Sequence, residues 1–262
     1  MNRLMHHSYL IEKVAEEFWL LVGQAPEYPC DIEEALCWAL PLDIRLIPAL
    51  RVRDAHAWAQ QAGIVHRLPE YNRRLRGCLL AYKNHGTILL DALDPVDERR
   101  FTLAHEAAHF LLDYHAPRQR ALAALGESIR PVLDGQRPPT LKERLYAVLA
   151  DAPLGVLSHL MERPDEGLPA PIVLDVEDRA DRLALELLAP AQSLLDLLRH
   201  PSVPRTFDAR LAYLTTILVT KYGLPAPIAA SYARFLLQLK GGPGFRDWLL
   251  GRAMAISAPD EP

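Results

Sequence analysis

Apolar positions along the first third of the chain change period several times, and each change marks an element. Residues 8–22 and 31–40 repeat apolar side chains every three or four positions, the spacing of helices that bury one stripe. Residues 42–50 form a short apolar run that reads as a strand, and a short helix is predicted over 54–61. Residues 77–82 and 87–91 are two further runs around Asn84-His85-Gly86, which predicts a hairpin with glycine supplying a positive φ. The helical period returns after Asp94-Pro95, an N-cap followed by proline at the first helical position. Asp97 and Glu98 then place negative charge at the positive end of the helix dipole. Pro117 predicts that this helix stops near His115.

Downstream the pattern is helical almost throughout. Residues 120–133 and 140–161 read as helices separated by Gly135-Gln136-Arg137-Pro138-Pro139. Leu141, Leu145, Val148, Leu149 and Leu154 are expected to pack inward, and residues 163–167 to form an exposed connection. Residues 175–190 carry a helical stripe of Ala180, Leu183, Ala184, Leu187 and Leu188. Residues 211–221 and 226–239 flank Tyr222-Gly223-Leu224-Pro225, the outline of a helix-turn-helix pair whose expected role is structural support. A short last helix is expected after the Gly241-Gly242-Pro243-Gly244 break, and residues 258–262 should fray.

The helix that follows Asp94-Pro95 contains His105-Glu106-Ala107-Ala108-His109. Histidines four apart leave a helix on one face, so both imidazoles can grip one metal ion. Glu106 lies one position round from the pair, within reach of a metal-bound water without ligating the metal, the place of a general base. The bland alternative is two core histidines, but neutral imidazoles buried side by side would still need polar partners.

A mononuclear site needs a third protein ligand. In the helix over 175–190, Glu177 and Asp181 fall on the buried side while Arg179, Arg182 and Glu186 point away as solvated charges. A carboxylate on a core face is costly unless it is paired or bound to metal. Glu177 is therefore the candidate third ligand, and Asp181 the acceptor for a ligand histidine N–H. A salt bridge to a nearby arginine is the other reading of Asp181.

Several blocks together resemble the ImmA/IrrE family of bacterial and phage metallopeptidases. They are residues 86–91, Phe101-Thr102-Leu103-Ala104-His105-Glu106 running on to His109, Glu177-Asp178-Arg179-Ala180-Asp181, and residues 183–190. Pro29-Cys30-Asp31-Ile32 resembles the entry to the family's second helix. The resemblance implies His105, His109 and Glu177 as ligands of zinc, with manganese as the alternative ion, and Glu106 as the base. Asp181 stands where the family usually has Asn, and about seventy residues separate the two motif blocks, more than the family typically needs.

The implied architecture is helix-rich α+β: a zincin-like core with a small antiparallel sheet over 1–115 and 172–190, a helical insertion over 116–171, and a helical C-terminal region over 191–262. The resemblance also implies a function, cleavage of an XRE-type helix-turn-helix repressor in a stress-response or mobile-element switch. A regulator that binds its repressor without cutting it, and a general zinc aminopeptidase or peptide hydrolase, are the competing readings. Such a hydrolase usually adds a second donor at the oxyanion, and Tyr114, His115, Tyr213 and Tyr222 are the candidates.

Composition narrows the setting. With half of 262 residues apolar and 24% charged, the chain can build a sizeable core. Cys30, Cys37 and Cys78 form no C-x-x-C pair, which suits free core thiols in a reducing cytoplasm. The start lacks a signal-peptide pattern and no apolar run reaches membrane-spanning length. A net charge of −4 argues against broad nucleic-acid affinity, and the Arg73-Arg74-Leu75-Arg76 cluster is expected to be solvated.

Overall fold

The computed structural model describes residues 2–163 and 176–238, with side chains described from Leu10 onward and, in the later stretch, from Arg179. It divides into two units, residues 1–188 and 189–262. The first unit opens with helices α1 (Asn2–Val22) and α2 (Ile32–Ala39), strand β1 (Leu42–Ile47) and helix α3 (Val52–Gln61). Strands β2 (Leu75–Tyr82) and β3 (His85–Asp91) then lead into helix α4 (Val96–His109). A π-helical turn (Phe110–His115) joins α4 to α5 (Ala116–Leu125), and the short α6 (Arg130–Leu133), α7 (Leu141–Leu149), strand β4 (Leu157–Glu162) and α8 (Val176–Leu188) follow.

The sheet has the order β1-β3-β2-β4 and is mixed rather than antiparallel. Hairpin β2–β3 and the β2–β4 pair are antiparallel, but β1 runs parallel to β3, from Leu42 opposite Gly86 to Ile47 opposite Asp91. The chain leaves β1 through α3 before entering β2, so β1 can reach β3 only from the far side, with its direction preserved.

The hairpin forms where the sequence places it, but its turn chemistry differs. Lys83 and Asn84 take the positive φ values, 49° and 63°, as a two-residue turn requires. Gly86 serves close approach instead: a Cβ there would lie 2.5 Å from Leu42 Cδ2 and 2.8 Å from Phe110 Cδ2. Period-two alternation then sorts the sheet faces. Cys78, Leu80 and Leu89 pack with Val52, Ala55 and Ala59 of α3. Gly77 and Gly86 face the other way, toward the helical run from α4 to Phe110.

Three helix boundaries depart from the sequence reading. Pro95, not Asp94, occupies the cap of α4, and the buried Asp94 carboxylate instead receives Arg163. Pro117 does not end the helical run, because the π turn resets the register and puts proline in the first turn of α5, where no N–H is required. The helix expected over 140–161 stops at Leu149. Positive φ at Asp151 and Gly155 turns the chain, and residues 157–162 extend to satisfy the open edge of β2. The expected inward packing of α7 fails too: Leu141 is 86% exposed and Val148 68%, while Ala147 is buried.

Strand β4 is tied at both ends. His66 Nε2 bonds to Ser158 Oγ at 2.9 Å, and Arg73 to Glu162 at 3.0 Å. Arg163 reaches the buried carboxylates of Asp91, at 3.1 Å, and Asp94. Cys30 and Cys78 are core thiols as expected, but Cys37 is exposed, and all three are free.

In the second unit, α9 (Ala191–Leu197), α10 (Phe207–Thr220) and α11 (Ala226–Gln238) surround Leu214, Leu218, Ala229, Tyr232 and Leu236. Gly223 takes a positive φ of 64° at the α10–α11 turn, and Tyr232 Oη donates to Ala189 O at 3.1 Å. The expected last helix beyond residue 241 and the connection over 164–167 lie outside the described residues. Among the described residues, no helix is long and apolar enough to cross a membrane.

Candidate metal centre

Helix α4 lies across the sheet face that carries Gly77, and every residue from Phe101 to His109 is buried. A fully buried amphiphile of this kind must satisfy its polar groups internally. His105 Nδ1 pairs with Asp181 Oδ1 of α8 at 2.8 Å. His109 Nδ1 pairs with Asp113 Oδ2 of the π turn, also at 2.8 Å. Arg179 Nη2 in turn donates to Asp113 Oδ1 at 2.9 Å, so this arginine is not simply solvated as its helical position suggested. The pairing of Asp181 agrees with the acceptor role read from the sequence. Glu177 lies in α8, but its side chain is outside the described residues.

These carboxylates fix the tautomer: each Nδ1 carries the proton, so each Nε2 presents its lone pair. The two Nε2 atoms face one another at 3.2 Å. Two lone pairs at that distance repel, and a cation between them removes the repulsion. Two zinc–nitrogen bonds of about 2.0–2.1 Å at a tetrahedral angle hold their nitrogens about 3.3 Å apart, so the pair fits a metal ion.

A third imidazole stands beside them. His159 of β4 is opposite Leu79 in register, and Leu79 shares a strand face with Gly77, so His159 projects toward α4. Its Nδ1 lies 2.9 Å from Glu106 Oε2, and its ring stacks on His109 with centroids 3.8 Å apart. One nitrogen from each of His105, His109 and His159 falls within 4.8 Å of the others. The sequence reading missed His159, because residues 140–161 were taken as one helix; the turn signals Pro153 and Gly155 were the available clue. It also missed Asp113, although a carboxylate four residues after His109 shares that histidine's face.

Glu106 is fully buried; Oε2 is held by His159, and Oε1 has no hydrogen-bond partner. A buried carboxylate oxygen in that condition calls for a donor such as water. Burial, and then the negative charge of Glu106, push the Cys78 thiol well above its ordinary range, so Cys78 stays protonated and is no ligand. Three carboxylates and one guanidinium around three imidazoles favour a cation.

The proposed oxyanion donors do not all converge here. Tyr114 Oη accepts the Asn84 N–H at 2.9 Å, at the β2–β3 turn. His115 stacks on Phe110, and burial followed by the charge of Arg118 lowers its pKa. Tyr213 and Tyr222 belong to the second unit.

In comparisons with known proteins, residues 61–127 match the family model for the IrrE N-terminal-like domain of the M78 peptidases. The matched stretch contains β2, β3, α4 and Asp113, and it ends before β4 and α8. No curated protein and no solved structure gave a significant match.

Proposed function

We propose that this chain, a member of the ImmA/IrrE metallopeptidase family, is a zincin-like endopeptidase whose substrate is an XRE-type helix-turn-helix repressor in a stress-response or mobile-element switch. The observation that carries the peptidase reading is the pair of Nε2 atoms 3.2 Å apart, each imidazole locked through Nδ1 by a carboxylate, with Glu106 buried between them. His105 and His109 hold the metal, with Glu177 as the carboxylate ligand that the motif order supplies. Zinc is the preferred ion for such a set, and manganese the alternative. The repressor rests on the family resemblance, and three free cysteines support a reducing cytoplasm.

When bound, zinc supplies Lewis acidity and a water whose pKa lies near neutrality. Every other part of the chemistry falls to side chains. His159 fixes Glu106 Oε2, which leaves Oε1 to accept the proton of the attacking water. Glu106 then returns that proton to the departing amine, as microscopic reversibility asks of a single acid–base group. Asp181 and Asp113 keep the two histidines in the ligating tautomer throughout.

The test pairs wild type with Glu106→Gln, incubated with a purified XRE-type repressor encoded nearby. The expected result is about one zinc per chain in both proteins and a rate of cleavage lower by about 10²–10⁴ in the variant. Full cleavage by Glu106→Gln would rule out the base. An intact repressor that still binds both proteins would replace cleavage by a binding role.

A further inference from the structure

We infer that His159, carried on the edge strand β4, is a ligand of the same metal ion as His105 and His109. The inference rests on the reading of that histidine pair as a metal site. It adds a residue outside both motif blocks and outside the segment that matches the peptidase family.

The argument is a pattern that repeats three times. His105 Nδ1 meets Asp181, His109 Nδ1 meets Asp113, and His159 Nδ1 meets Glu106, at 2.8, 2.8 and 2.9 Å. A carboxylate on Nδ1 is the usual partner of an imidazole that binds metal through Nε2, since it sets the tautomer and raises the ligand's basicity. All three histidines therefore carry their ligating nitrogen on the same side of the ring, and these nitrogens cluster within 4.8 Å.

Ring spacing agrees for two of the three pairs. Rings radiating from one tetrahedral ion keep their centroids about 5 Å apart, and His105 lies 4.8 Å from His109 and 5.5 Å from His159. The His109–His159 stack, at 3.8 Å, is the one distance that metal binding has to lengthen. Strand β4 is a sheet edge, with no second neighbour to resist a small adjustment. Its ends are nonetheless anchored, by Ser158 to His66 and by Arg163 to Asp91, so the imidazole is delivered at a defined height on the sheet. Three imidazoles leave one tetrahedral position for water, so the assignment does not depend on Glu177.

The test is X-ray absorption at the zinc edge together with zinc titration of metal-free protein, for wild type, His159→Ala and His105→Ala. The expected result is three imidazoles around zinc in wild type and two in His159→Ala. Zinc affinity in His159→Ala should fall by more than the about 10–100-fold that follows loss of a residue which only orients a ligand. Two imidazoles in wild type, or an affinity in His159→Ala within tenfold of wild type, would overturn the assignment. A wild type that binds no zinc fails earlier and overturns the histidine-pair reading itself. Should His159→Ala not fold, the wild-type absorption spectrum alone still decides.

Discussion

Gly77 is the position where strand packing and the proposed base meet, and Gly77→Ala tests that connection. A Cβ on Gly77 would lie 2.6 Å from Thr102 Cγ2, 3.1 Å from Glu106 Oε1 and 3.2 Å from Glu106 Cγ. Carbon atoms in contact prefer about 3.5–4.0 Å, so the threonine methyl has to withdraw by about 1 Å. Thr102 is buried and β-branched, and within a helix its χ1 has few alternatives. Overpacking of this size costs about 1–3 kcal/mol. Removing glycine from a strand returns about 0.5–1 kcal/mol through the unfolded chain, which leaves a net loss of about 1–2 kcal/mol. The same methyl presses on Glu106, and a misplacement of about 1 Å in a catalytic group costs about 10²-fold in rate.

The assay is urea unfolding of Gly77→Ala, Thr102→Ser and the double variant, with repressor cleavage measured on each. Thr102→Ser deletes the Cγ2 atom, so the double variant should recover stability, with a coupling of about 1 kcal/mol or more. Gly86→Ala is the comparison. Its Cβ would meet Leu42 and Phe110, so it should lose stability while each folded molecule keeps its activity. A Gly77→Ala protein as stable and active as wild type would refute the close approach of β2 to α4, and failure of Thr102→Ser to rescue would refute its stated cause.

Two further outcomes follow from hydrogen bonds around the site and the sheet. Asp113→Asn and Asp181→Asn should each weaken zinc binding about 10–100-fold, read by competition with a chelator, and unchanged affinity in both would show that the carboxylates do not set the histidine tautomers. Burial raises the pKa of Asp91, but N–H donors of Leu93 and Ala49 and the Arg163 guanidinium outweigh it and hold the carboxyl below its ordinary range. A depressed carboxylate stabilises the fold fully above the unfolded value of about 3.9, and that contribution is lost as pH falls through the folded value. Denaturant midpoints between pH 3 and 6 should therefore drop at the acid end in wild type, and Asp91→Asn should flatten that drop.

What could be read from sequence was what depends on neighbours along the chain. His105, Glu106 and His109 lie within five consecutive residues, and the helical repeat alone puts both imidazoles on one face. Asp181 was legible for a related reason, since a carboxylate on the apolar face of an amphipathic helix has to find a buried partner, and it finds His105 at 2.8 Å. The hairpin was legible because two apolar runs flank a tight turn, although the residues at positive φ are Lys83 and Asn84 and not Gly86. Gly86 looked like a turn residue and is a packing residue, a distinction that only the nearness of Leu42 and Phe110 reveals.

Strand β4 shows why the rest was hidden. Residues 157–162 are half-buried along their whole length, so they lack the clean alternation that marks a strand with one face in the core. Their extended form is imposed from outside, by the open edge of β2, whose backbone groups need partners in a buried setting. The local preference between Leu149 and Leu157 is also helical enough to mislead, and only Asp151 and Gly155 at positive φ interrupt it. Non-local pairing therefore decides whether His159 sits on a surface helix or over His109, and no periodicity in the segment carries that information. The anchors that hold the strand, Arg163 on Asp91 and Asp94, join residues about seventy apart in sequence. A site assembled this way keeps its recognisable chemistry on one helix and places its remaining contacts wherever the sheet edge and α8 bring them.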